Sequence, residues 1–190
     1  MQLSFVDFLQ RHGFSPEQAG ALLRESEHQE LPARTTFLQQ GEQPQYLYFV
    51  REGLCQANYH TGDGKSFSKE FYWGGDCIVN FQSLLNHPAS PYALETLSAS
   101  SLVCLPIKRV HEWRQQNHAC YQHLLENQLL YKENKERFML LNSPQQRYLE
   151  FIQEFPDLEQ HLADYQVASY IGITPISLSR IKKRLQVNKG

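Results

Sequence analysis

The 190-residue chain contains no run of eighteen apolar residues, so no segment of it is expected to span a membrane. Its first residues, Met1-Gln-Leu-Ser-Phe-Val-Asp-Phe-Leu, lack a basic stretch and carry Asp7, which argues against a secretory signal. Cysteine is scarce, and Cys55, Cys77, Cys104 and Cys120 form no C-x-x-C pair. Without an export signal these are expected to be reduced thiols of a cytoplasmic protein. There is no H-x-H followed by Glu; His60 and His87 lie far apart, which disfavours a metal enzyme on a small β-barrel. No Ser/His/Asp or Cys/His arrangement has a motif around it, so the chain is not expected to be an enzyme.

Net charge is also small, −2, but it is unevenly spread. Met1 to Ser143 carries −3 and Pro144 to His161 another −3, whereas Leu162 to Gly190 carries +4, from Arg180, Lys182, Lys183, Arg184 and Lys189 against Asp164. A basic end on an acidic body suits contact with a polyanion.

That basic end coincides with the most informative stretch of the chain, Asp164 to Lys183. Two helices crossing sharply need a small residue where they touch, and Ala168 supplies one. The turn between them needs a residue tolerant of positive φ, and Gly172 follows four positions later. Val167, Ile171, Ile173, Leu178 and Ile181 provide the inward apolar set. Thr174 is a good N-cap for the second helix, and Pro175 fits its first position, where a missing N–H costs nothing. The pattern is that of a DNA-binding helix-turn-helix; an amphipathic helical hairpin with no nucleic-acid role is the plainer alternative.

Upstream, Ser15-Pro16-Glu17-Gln18 reads as a capping box opening a helix that ends near Glu27. From Phe37 the chain turns to short β-prone runs, Tyr46–Arg51, Leu54–Tyr59, Phe67–Tyr72 and Ala93–Ile107, with a hairpin signal at Thr61-Gly62-Asp63-Gly64. Runs this short suggest a closed antiparallel roll or barrel. A short helix is expected over Ile107–Asn117, and a long one from Cys120 to about Leu141, where neither Gly nor Pro interrupts. Leu125, Leu129, Lys132, Glu136 and Met139 drift along one face of it as an imperfect dimerisation seam. Ser143-Pro144-Gln145-Gln146 opens a further helix, stopped by Pro156.

A β-roll, one long helix and a helix-turn-helix, in that order, resemble the Crp/Fnr transcription regulators over nearly the whole chain. Tyr46-Leu-Tyr-Phe-Val-Arg-Glu-Gly53 is similar to the family's apolar strand and turn glycine, and Thr61-Gly-Asp-Gly-Lys65 to its next hairpin. Ala168 to Pro175 with Leu178-Ser-Arg-Ile181 resembles its DNA-reading motif. Only Leu185–Gly190 follows, so the likeness is to short members without a β-hairpin wing.

The resemblance implies an α+β fold: a β-roll sensor domain over 1–117, a dimerisation helix over 118–142 and a helix-turn-helix domain over 143–190. It implies a homodimer binding a near-palindromic duplex, with RNA polymerase and a small-molecule effector as further candidate partners. Thr174, Pro175, Ile176, Ser177, Ser179, Arg180, Lys182 and Lys183 are the implied DNA contacts. Arg180 would grip O6 and N7 of a guanine, while Thr174, Ser177, Lys182 and Lys183 would meet phosphates. Longer relatives often carry an arginine and a glutamate where this chain has Pro175 and Ile176; Ile176 can touch a thymine methyl but cannot accept from cytosine.

Nucleotide-binding relatives pair Gly-Glu with a later Arg-Ser or Arg-Thr, the Glu for the ribose and the Arg for the cyclic phosphate. Here the matching residues are Gly75-Asp76 and Ser90-Pro91, followed by Tyr92. Ser90 brings no charge and Pro91 no N–H, so cyclic AMP in the usual mode is not expected. Lys69 and Arg51 are the nearest substitutes in sequence. No metal or other cofactor is expected: Cys77 and His87 read as a buried thiol and a loop imidazole rather than haem ligands, and His118, Cys120 and His123 do not converge on a helix. A regulatory binding module that has lost DNA binding is the alternative function.

Overall fold

The computed structural model describes residues 3–86 and 89–187. His87 and Lys189, considered above, lie outside the described residues. Two helices come first, α1 (Phe5–Arg11) and α2 (Pro16–Glu25), each opened by a reciprocal capping box, Ser4 with Asp7 and Ser15 with Gln18. Among the described residues eight strands follow: β1 (Glu27–Leu31), β2 (Thr36–Leu38), β3 (Tyr46–Glu52), β4 (Leu54–His60), β5 (Ser66–Trp73), β6 (Cys77–Ile78), β7 (Ala93–Thr96) and β8 (Ser100–Pro106), with α3 (Phe81–Asn86) between β6 and β7. They form two antiparallel four-stranded sheets, β1-β8-β3-β6 and β2-β7-β4-β5, facing each other as a roll.

Side chains alternate across each strand, and both sides of the roll use the alternation. Tyr48, Val50, Leu102 and Cys104 turn inward and meet Cys55, Ala57, Tyr72, Tyr92 and Leu94 of the second sheet, so aromatic rings fill the interior. Their neighbours Leu47, Phe49, Val103 and Leu105 turn outward and pack under Phe5, Phe8, Leu9, Trp113, Tyr121 and Leu124. The expected run Ala93–Ile107 is two strands, because Leu97 to Ala99 turn tightly against Gly53. Gly53 has φ +95°, and a Cβ there would stand 2.3 Å from Ser100 Oγ, so only glycine fits.

The helical half comprises α4 (Ile107–Gln115), α5 (Ala119–Leu141), α6 (Pro144–Glu154), α7 (Pro156–His161), α8 (Asp164–Tyr170) and α9 (Pro175–Val187). α5 begins at His118, whose imidazole accepts from Cys120 N–H and stacks on Phe14. Helix α6 opens on the Ser143 capping box. It ends before Pro156, as expected, but Pro156 also starts α7, because proline suits a first turn. Tyr148, Phe151, Leu162, Val167, Ile171, Leu178 and Ile181 form the helical core, and Leu54 and Phe71 of the roll belong to it.

The expected seam on α5 is altered. Met139 is half-buried, its methyl lying close to Gly172, so it is taken out of any dimer face. Leu125 and Leu129 remain exposed, and Leu140, three-quarters exposed, continues their side of the helix.

Candidate nucleic-acid interface and ligand cavities

The local geometry of the helix-turn-helix follows from its sequence. Gly172 adopts φ +69° in the turn, the left-handed conformation that other residues resist. Thr174 caps α9, its hydroxyl accepting from Ser177 N–H at 3.1 Å and sharing a 2.9 Å bond with the Ser177 hydroxyl. Leu178 and Ile181 are buried, with Leu185 packed beside them. This leaves Pro175, Ile176, Ser179, Arg180 and Lys183 on the exposed side. Ile176, Ser179, Arg180 and Lys183 are spaced to share one face. Ile176 is 66% exposed, so its side chain stands open to contact from outside.

Lys182 departs from that face. It is half-buried, donates to Asp164 Oδ1 at 2.7 Å and lies 5.6 Å from the Tyr148 ring centroid, tying α9 to α8 and α6. Thr174 and Ser177 stand at the N-terminus of α9 with their hydroxyls engaged with each other.

The turn is supported from beneath, a feature that carries no signal in the sequence. Lys135 donates to Tyr170 O at 2.8 Å, and Arg147 Nη1 to Ile171 O at 2.7 Å, so two cations meet the carbonyl end of α8. Positive groups are favoured there. A Cβ on Gly172 would come within 2.4 Å of Met139 Cε, which is how close α5 approaches. The roll holds α8 as well: Ser68 N–H donates to Ser169 Oγ at 2.7 Å, Gln166 to Gln56 at 3.4 Å, and Phe71 and Tyr170 rings lie 5.0 Å apart.

The candidate effector residues are split between two places. Gly75 and Asp76 line a cavity of about 530 Å³ bounded by α1, β5, β6, α3 and α5. Asp76 accepts from Trp73 N–H at 2.9 Å, yet burial pushes its pKa up to about 6. His12 and His123, whose ring centroids are 3.7 Å apart, stand on the same wall as Asn127 and Gln128. Ser90 and Tyr92 are outside that lining and buried. Ser90 Oγ accepts from Asn80 and donates to Tyr92 O at 2.5 Å, and Pro91 sits between them, half-buried. The Tyr92 ring occupies the roll interior.

Neither substitute cation lines this cavity. Lys69 is half-buried, pairs with Glu70 at 2.6 Å and has its ammonium 4.6 Å from the Tyr92 centroid. Arg51 lines a different cavity, with Leu3, His28 and Glu52. Burial pushes the thiols of Cys55 up to about 11 and of Cys104 and Cys120 to about 12, which makes them packing groups rather than nucleophiles. Among the described residues no cluster of three or more His, Cys, Asp or Glu is placed to hold a metal ion, and no helix is long and apolar enough to cross a membrane.

Residues 28–117 match the family model of the cyclic nucleotide-binding domain. No curated protein sequence gives a significant match. Among solved structures, FixK2 from Bradyrhizobium japonicum is similar with a TM-score of 0.72 at 15% identity, covering 86% of each chain. The c-di-GMP-responsive global regulator CLP from Xanthomonas campestris gives 0.70 at 16% identity, over 88% of this chain and 89% of that one. A CRP-family transcriptional regulator from Thermus thermophilus gives 0.70 at 16% identity, over 85% of each. Residues 28–117 are thus similar to a cyclic nucleotide-binding domain, and the chain as a whole shares the fold of these solved structures.

Proposed function

We propose that the protein is a dimeric, sequence-specific DNA-binding transcription regulator whose roll does not take cyclic AMP in the usual way. The observation that carries the DNA reading is α9. Its apolar side is buried, while Ile176, Ser179, Arg180 and Lys183 project together from a capped helix that follows a tight glycine turn. A helix so presented fits the major groove, and a second copy would place its own α9 one helical turn away. Ile176 would lie against a thymine methyl and Arg180 on a guanine edge. Pro175 and Ser179 border them, and Thr174 and Ser177 sit where a helix N-terminus favours phosphate. Leu125, Leu129 and Leu140, exposed on one side of α5, supply the dimer face.

The nucleotide reading rests on Ser90, Pro91 and Tyr92. A cyclic phosphate would need a cation that Ser90 and Pro91 do not bring; Lys69 is paired with Glu70, and Arg11, which lines the Asp76 cavity, comes from the end of α1 rather than from the roll. Leaving such a charge unpaired in a buried site costs several kcal/mol, on the order of the penalty for an uncompensated ion. Selection from fragmented genomic DNA, followed by a mobility-shift titration of the recovered duplexes, tests the function. Recovery of a shared near-palindrome is the expected result; retention of all fragments alike, or of none, would leave only a binding module.

A further inference from the structure

A second cavity, of about 540 Å³, opens where α5 meets α6 and α8. Its volume lies within the ordinary range for small-molecule sites, roughly 300–1,000 Å³. The walls differ in chemistry. Phe138, Phe151, Phe155 and Tyr170 give it aromatic surface. The α5 wall presents Lys135 and Arg137, the α6 wall Glu150 and Glu154.

Lys135 is the group this arrangement leaves incompletely served. Its ammonium donates to Tyr170 O and lies 3.0 Å from the centroid of the Tyr170 ring and 5.3 Å from that of Phe138. Among the described residues no carboxylate comes within 4.0 Å of it. The charged groups that face it are Lys132 of its own helix, Glu70 of β5, and Arg147 and Glu154 of α6. Burial, with Lys132 and Arg147 adding to it, pushes its pKa down to about 7. Arg137, at the mouth, is held by Asn134 at 3.0 Å, and Glu150 by Asn142 at 2.8 Å.

We propose that this cavity binds a small aromatic acid bearing a hydroxyl or amino group, its ring among Phe138, Phe151, Phe155 and Tyr170, its carboxylate on Lys135 and its donor toward Glu154. The site is separate from the roll. It also lies on the side of α5 away from Leu125, Leu129 and Leu140, so pairing along those leucines leaves it open. Its walls belong to the long helix on one side and to the helix-turn-helix domain on the other, so an occupant fixes the angle between them.

The test is calorimetric titration of the full chain with 4-hydroxybenzoate at pH 8, in two buffers of different ionisation heat and without DNA, so that its outcome is independent of the DNA reading. One molecule should bind per chain with uptake of about half a proton or more, because the carboxylate holds Lys135 protonated. Lys135→Met should abolish the uptake and weaken binding roughly tenfold or more. Asn134→Trp, which obstructs the cavity from an exposed position and leaves the Lys135–Tyr170 contact in place, should block binding in a chain that melts normally. Benzyl alcohol and tyramine, which lack the acid, should give no heat. Absence of binding at ~10 mM, far weaker than a useful site, would overturn the proposal. So would unchanged binding in either variant, or binding of the two acid-free compounds.

Discussion

At the scale of single residues, Arg180 and Lys183 share an exposed face but are expected to answer differently to substitution. Arg180→Ala should cost about 1–3 kcal/mol on the recovered duplex and relax base preference at one position. Lys183→Ala should weaken all sequences alike and flatten the salt dependence. Anisotropy titrations on specific and scrambled duplexes over a salt series separate the two; equal losses on both duplexes for Arg180→Ala would remove it from base reading. Asp76 makes a prediction about pH. Its folded pKa, about 6, is above the ordinary 3.8. Between those values the folded state binds more protons than the unfolded one, so this group's contribution to stability falls as pH rises from 4 to 6. Asp76→Asn should therefore stabilise the protein at pH 7 by about 1–3 kcal/mol, and the gain should vanish near pH 4. Urea melts of both forms at the two pH values provide the check.

At the scale of elements, legibility followed local chemistry. The helix-turn-helix could be read because Ala168, Gly172, Thr174 and Pro175 act through their own backbone positions. The β4–β5 hairpin could be read from Thr61-Gly62-Asp63-Gly64 for the same reason. Helix α1 is not expected from the sequence although Ser4 and Asp7 spell its capping box, since the apolar start of the chain is weighed only for a secretory signal, which it does not fit. Strands β1 and β2 left no trace: Glu27–Leu31 holds one apolar residue and pairs through its backbone with β8. The split of the effector residues was likewise hidden, because only the fold shows that Tyr92 fills the roll while Asp76 faces α5. The long helix carries the third prediction. Leu129 is 59% exposed and shares a side with Leu125 and Leu140. Changing Leu125 and Leu129 to Glu should yield monomers in analytical ultracentrifugation and weaken operator binding, since each half-site is then bound alone. A persisting dimer would move the interface elsewhere.

At the scale of the whole molecule, the roll is a filled body rather than an empty cup. Tyr48, Tyr72 and Tyr92 occupy its interior with the small residues Cys55, Ala57 and Cys104 between them. With that interior filled, and with neither Ser90 nor Pro91 bringing a cation toward the cavity of Gly75 and Asp76, cyclic AMP and cyclic GMP are expected to leave thermal stability unchanged at millimolar concentration. A tight site would add about 2.7 kcal/mol at one hundred times its Kd, which is readily seen. A nucleotide-dependent rise in melting temperature would mean that the interior rearranges to admit a ligand.

Leu54 and Phe71 lie on strands yet are packed among the helices of the other half. A chain divided at Ser143 would leave each piece with a wound: the helical fragment would lack two of its packing partners, and the roll would turn Leu54 and Phe71 to water. The two halves are thus joined in the sense that matters for melting, each raising the cost of losing the other. The intact protein should unfold in one calorimetric step whose van't Hoff and measured enthalpies agree. Two resolved steps would show that the shared core contributes little to cooperativity.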